Sequence, residues 1–316
     1  MQEKLKDKIA GALVGYAIGD ALGLGTEFMT ADEAKSIYPD SLTDYSQIEM
    51  DAHRSPWGHG NYTHDTEFVI MLIENVLRDG ELRPLEFARS MADWYGDGHY
   101  DISQQMRAVL REPSYRNDPY GTVERIWKQR GKWLEAGAII GIAPFAGIIC
   151  DAPDNAPIEL SRTLQNGQNP LGASNVIARS AYAILYEDRI PDADELVKIS
   201  EEYSPDIEQY IRAAAEPGAI NRLEIDDVDS IDVARKCMAV GLWALWNFDN
   251  FDDGIVASAM LGGDADTNTA LAGALMGLKY GLSAIPMRLR SGLVKQKEIE
   301  MLAEKFADYL APRFNN

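Results

Sequence analysis

Cysteine is scarce: Cys150 and Cys237 are the only two in 316 residues, and each lies within an apolar run. Two cysteines exclude a disulfide scaffold, and both are expected as buried, reduced thiols. Positive charge is short as well. Lys and Arg total 30 against 50 Asp and Glu, for a formal net charge of -20. A chain of that sign excludes nucleic-acid backbones and anionic membrane surfaces as partners, since both want a basic face. A phosphate-bearing substrate would need backbone amides or cations to offset the charge. No uncharged apolar run reaches the ~18 residues of a membrane span. Charges alternate from Met1 to Lys8, so no secretory leader is expected and the setting is read as cytoplasmic. Period-two alternation with paired turn signals is missing, so strands should be few. No repeat or low-complexity linker divides the chain. What remains is 46% hydrophobic and 25% charged, an ordinary composition with ample material for a core. The expectation is one compact all-α domain over residues 1–316.

The stretch Gly262-Gly263-Asp264-Ala265-Asp266-Thr267 organises the reading. Two carboxylates one residue apart follow a glycine pair and precede an apolar run with small residues at 270, 273, 274 and 277. That spacing puts the small residues on one helical face, able to pack backbone-close. One carboxylate could be a helix N-cap. The second has no such explanation, and two like charges so close repel unless a cation or a proton sits between them. A hard divalent cation such as Mg2+ or Mn2+ takes such oxygen ligands. A matching pattern lies upstream, where Thr63-His64-Asp65-Thr66 leads into an apolar helix through Leu77. Taken singly, Thr63 or Asp65 could be a cap, His64 a structural histidine and Glu27 a solvated loop acid. Each cluster nevertheless sits where a loop meets a buried helix, so all could converge on one end of a bundle. Their oxygens suffice for two Mg2+ ions, or for one with several waters.

Further helices are expected over 3–23, 84–95, 103–111, from 135 onward, about 174–186, within 192–214, over 231–246 and 252–260, and over roughly 293–310. Glycines at 11, 15, 19 and 23 stripe the first of them. Residues 112–122, with Pro113 and Pro119, read as loop.

The run Gly11 to Gly23, then Thr63-His64-Asp65-Thr66, then Gly262-Gly263-Asp264-Ala265-Asp266-Thr267 resembles the ADP-ribosylglycohydrolase family, in family order from about residue 5 to about 290. The resemblance implies a multi-helix orthogonal bundle with a binuclear Mg2+ or Mn2+ centre at the base of a cleft. It implies hydrolysis of the bond between ribose C1″ and a modified acceptor, in an ADP-ribosylated protein or a small ADP-ribosyl or ribosyl molecule. Carried over by position, Thr63, Asp65, Asp264, Asp266 and Thr267 are metal ligands, with Asp266 placed to bridge two ions. Glu27 matches the family acid that holds the metal or the attacking water. Asp65 belongs with the catalytic group as well, and Asp101 resembles an aspartate that faces the ribose. The segment Glu135-Ala136-Gly137-Ala138 falls where the family binds the diphosphate and adenosine end, a task suited to amides at a helix start.

Two departures stand out. The family pattern has an aspartate where this chain has His64. As a ligand, His64 removes one negative charge, which points to weaker Mg2+ binding, to Mn2+ or Zn2+ instead, or to one ion rather than two. The glycine-rich loop lacks the usual Asn-Gly, with Ala136-Gly137 and Gly141 at the matching positions. Three functions follow as alternatives: a metal-dependent glycosidase on an ADP-ribosyl substrate, a nucleosidase on a free nucleoside or nucleotide, and an inactive ADP-ribose binder or structural protein.

Overall fold

In a computed structural model, residues 2–99, 102–130, 138–150, 155–227 and 233–315 are described. Among them, α-helices follow one another: α1 (Gln2–Gly23), α2 (Ala31–Ile37), α3 (His64–Asp79), α4 (Pro84–Gly96), α5 (Gln104–Leu110), α6 (Pro119–Arg130), α7 (Ala143–Ile149) and α8 (Ala156–Ser161). The second half adds α9 (Gln168–Tyr186), α10 (Ala193–Glu201), α11 (Glu208–Ala215), α12 (Ala234–Asn247), α13 (Phe251–Ala259), α14 (Ala265–Tyr280), α15 (Met287–Gly292) and α16 (Gln296–Leu310). Short 3-10 turns join some of them, and no strand occurs among the described residues. The all-α expectation holds. No described helix is long and apolar enough to cross a membrane.

The glycine stripe explains the centre of the molecule. A Cβ added at Gly11, Gly15, Gly19 or Gly23 would stand 2.4, 2.3, 2.1 and 2.1 Å from the carbonyl oxygens of Gly277, Gly273, Thr269 and Ala265 respectively. The clash is reciprocal at Gly273 and Gly277, which meet the carbonyls of Gly15 and Gly11 at 2.0 Å. Rising numbers on α1 meet falling numbers on α14, so the pair runs antiparallel in backbone contact along its length. Helix axes approach this closely only where side chains are missing from the contact. Residues 8–23 of α1 and 265–278 of α14 are buried throughout. The other helices wrap this pair: α12 and α13 lie against α14, α16 against α1, and α7 and α12 against α9. The antiparallel register has one functional consequence. It sets the C-terminal end of α1, and the loop carrying Glu27, beside the N-terminus of α14.

Several boundaries differ from the sequence expectation. Helix α9 begins at Gln168, six residues before Ser174, because Pro170 sits in the first turn, where its missing N–H costs no hydrogen bond. Pro119 opens α6 in the same way, so the last four residues of the expected 112–122 loop are helical. The apolar stretch after 135 is a 3-10 turn over Ala138–Ile142 and then α7, with Pro144 in its first turn. Cys237 is buried as expected, but Cys150 is half-buried at the end of α7, and the two form no disulfide.

Candidate active site

The approach to α14 is built from glycines that no other residue could replace. Gly262 and Gly263 both have left-handed φ values, 68° and 74°. A Cβ at Gly262 would stand 2.2 Å from the Met29 carbonyl oxygen, and one at Gly263 2.5 Å from that of Ile225. The backbone so exposed pairs with the loop after α1. Phe28 N–H donates to the Gly263 carbonyl at 2.8 Å, and Gly263 N–H donates to that of Met29 at 2.9 Å. Arg54, only 3% exposed, fixes the same loop from the other side. Its Nε donates to the Leu24 and Gly25 carbonyls at 2.9 and 3.2 Å, and its Nη2 to that of Glu27 at 2.5 Å. These bonds hold Phe28 at φ 62°, a conformation that costs a non-glycine residue about 1–2 kcal/mol. The Phe28 side chain is 55% exposed, so its burial does not offset that cost.

This bracing places Glu27 against the 264–266 motif. One carboxylate oxygen from each of Glu27, Asp264 and Asp266 lies within 4.8 Å of the others. Asp264 occupies the N-cap position of α14 but makes no side-chain capping bond. Its Oδ1 instead accepts from the Thr267 hydroxyl at 3.3 Å. Asp266 is buried, and its Oδ1 accepts from Thr267 N–H at 2.8 Å. Burial first, and then the charges of Glu27, Asp65 and Asp20, push the Asp266 carboxyl well above the usual carboxylate range.

The first motif reaches the same end of the bundle. Thr63 does the ordinary work foreseen for it, capping α3 by accepting from Asp65 N–H at 3.3 Å. Asp65 is buried, and neither of its carboxylate oxygens has a hydrogen-bond partner. His64 Nε2 comes within 3.2 Å of Asp65 Oδ1 without hydrogen-bond alignment, and its buried Nδ1 has no partner. The His64 ring stands edge-on to Phe68, 5.5 Å between centroids. His64 and Asp65 lie outside the tight group of Glu27, Asp264 and Asp266. Asp65 is near enough, however, for its charge to act on both Asp20 and Asp266.

A carboxylate buried without a hydrogen-bond partner is costly, and so is the gathering of Glu27, Asp65 and Asp20 charges around buried Asp266. A divalent cation with oxygen ligands removes both costs, so the residues present fit such an ion.

Three neighbours escaped the sequence reading. Asp20 lies inside α1. Its carboxylate accepts from Thr63 N–H (3.0 and 3.1 Å), Thr66 N–H (3.0 Å) and the Thr66 hydroxyl (2.6 Å), tying the start of α3 to α1. A lone carboxylate within a glycine-striped apolar helix was the available signal. His53 Nε2 lies 2.6 Å from Glu27 Oε2, and nothing in its local sequence marks it. The buried Tyr16 hydroxyl has no partner and is raised by burial and by Asp65. Gly141 passes directly over it, where a Cβ would stand 2.0 Å from that oxygen. The 138–142 turn therefore lies against α1 four residues before Asp20. Asp101, Glu135, Ala136 and Gly137 lie outside the described residues, as does the side chain of Ala138.

A profile of the ADP-ribosylglycohydrolase family matches residues 1–315. The chain belongs to that family. Its members are hydrolases of ADP-ribosyl linkages, and this one is similar over most of its length to curated relatives. It is 28% identical over 320 residues to the ADP-ribosylarginine hydrolase Tri1 of Serratia proteamaculans (strain 568), covering 97% of this chain and 80% of that protein. It is 25% identical over 307 residues to the ADP-ribosyl-[dinitrogen reductase] glycohydrolase of Rhodospirillum rubrum, covering 93% of each. A solved ADP-ribosylglycohydrolase-related protein complex shares the fold, with a TM-score of 0.74 at 24% identity over 97% of this chain and 99% of that one.

Proposed function

We propose that this family member hydrolyses the bond between ribose C1″ and the arginine of an ADP-ribosylated protein, with Mg2+ or Mn2+ held by Asp65, Asp264, Asp266 and the hydroxyls of Thr63 and Thr267. The observation that carries the reading is the convergence of buried Glu27 and Asp266 with half-buried Asp264, beside the Asp65 carboxylate, which has no hydrogen-bond partner. The names of the curated relatives support arginine as the acceptor. When bound, the cation supplies Lewis acidity and lowers the pKa of coordinated water. Glu27, held by His53, accepts the proton of the attacking water. As the C1″–N bond breaks, positive charge grows on the anomeric carbon, and the surrounding carboxylates favour it electrostatically. Asp20 fixes the first turn of α3 and so the position of Asp65.

The test is release of ADP-ribose from an arginine-ADP-ribosylated protein. Wild-type protein should release it, and Asp266→Ala should lower kcat about a thousandfold or more, the scale of losing metal-assisted charge stabilisation. Wild-type-like turnover in that variant would sink the metal assignment. Tight ADP-ribose binding without any release by wild type would point to the inactive binder.

A further inference from the structure

We propose that Phe28 is the platform on which the guanidinium of the acceptor arginine lies. The assignment rests on the functional reading above and names a subsite for it. Phe28 follows Glu27 in the chain, and its ring packs on the His53 imidazole that contacts the Glu27 carboxylate. The backbone is held at φ 62° by the bridge to Gly263 and by Arg54 behind Glu27. A bulky residue in that conformation, with over half its surface exposed, is kept against its own preference. Such outliers persist where the exposed group serves a purpose other than packing. The ring sits 5.0 Å from that of His53, tilted by 52°, and the same imidazole contacts the Glu27 carboxylate at 2.6 Å. One contact chain thus runs from platform to carboxylate. A guanidinium is a flat cation that stacks on aromatic faces and pairs with carboxylates. Here the ring and the Glu27 carboxylate are joined through a single imidazole, and the cation's bond to C1″ would then fall beside Glu27.

The test compares Phe28→Gly and Phe28→Trp with wild type, using an ADP-ribosylated arginine substrate and free ADP-ribose as competing inhibitor. Phe28→Gly should leave Tm near the wild-type value, because relief of the left-handed strain is offset by the greater freedom of glycine in the unfolded chain. The same variant should raise KM about tenfold, the scale of a lost cation–π contact, with most of the loss in KM rather than kcat. Inhibition by ADP-ribose should stay at its wild-type level, and Phe28→Trp should keep the wild-type KM. An unchanged KM in Phe28→Gly would overturn the platform. So would a parallel weakening of ADP-ribose inhibition, which would assign the ring to the ADP-ribosyl side. A fall in Tm would make Phe28 a packing residue instead. A wild-type protein inert on the arginine-linked substrate would overturn the functional reading itself, an outcome separable from all of these.

Discussion

Asp20 shows how one carboxylate can serve architecture and still disturb stability. It supplies acceptors to two backbone N–H groups and a hydroxyl in the first turn of α3. It does so fully buried, and burial first, then the charge of Asp65, push it up to about 7. An unfolded-state carboxylate titrates near 4. Between about pH 4 and pH 7 the folded, metal-free protein therefore holds a proton that the unfolded chain has lost. The stabilisation from that proton is complete below about 4 and is lost as pH rises through about 7. In chelator-treated protein, the stability advantage of wild type over Asp20→Asn should shrink across that window, read from urea midpoints at successive pH values. An advantage that grows with pH would contradict the burial-driven shift. Sequence alone could not supply this, because the partners of Asp20 lie more than forty positions away. Tyr16 was hidden for the same reason, and His53 because Glu27, 26 positions earlier, meets it only through the fold. Thr63 was legible, since a threonine before an apolar helix has one ordinary use, and it has that use here.

At the scale of elements, the glycine stripe was the most legible feature of the chain. A period of four is a local property, and it can mean little except close helix packing. The partner was not local, and the geometry supplies it: α14, antiparallel, with small residues facing glycines. Gly15→Ala should destabilise by about 1–3 kcal/mol, the usual cost of forcing extra volume into a packed core. It should also lower activity, because separating α1 from α14 moves Glu27 away from Asp264. Gly96→Ala is the matched control. No atom lies within 4 Å of a Cβ added there, and its φ is not left-handed, so it should be neutral or stabilising by up to ~1 kcal/mol. Equal denaturation midpoints for the two variants would refute backbone contact between α1 and α14. Helix starts were less legible where proline intervened. Pro119 and Pro170 read as loop markers, yet each lies in a first turn where a helix accepts it. Helix α2 was missed because only Ala34 of its seven residues is buried, leaving almost no apolar period to detect.

Across the whole molecule, the Asp264–Asp266 spacing pointed to a cation, and the fold brings an oxygen of Glu27, more than two hundred residues earlier, within 4.8 Å of one from each of them. The convergence depends on three devices acting together: the α1–α14 register, the Gly262–Gly263 turn bridged to Phe28 and Met29, and Arg54 behind Glu27. The net charge of -20 means that the diphosphate of an ADP-ribosyl substrate needs a cation or backbone amides to offset it. His64 and Asp65 of the first motif stand outside the tight three-carboxylate group. The account therefore rests on a cation held chiefly by Asp264 and Asp266. Calorimetric titration of metal-stripped protein with Mn2+ and Mg2+ tests that most directly. Saturable binding by wild type, lost in Asp266→Ala while the helical circular dichroism is retained, is the expected result. Absence of binding for either ion, or binding undiminished in the variant, would contradict it.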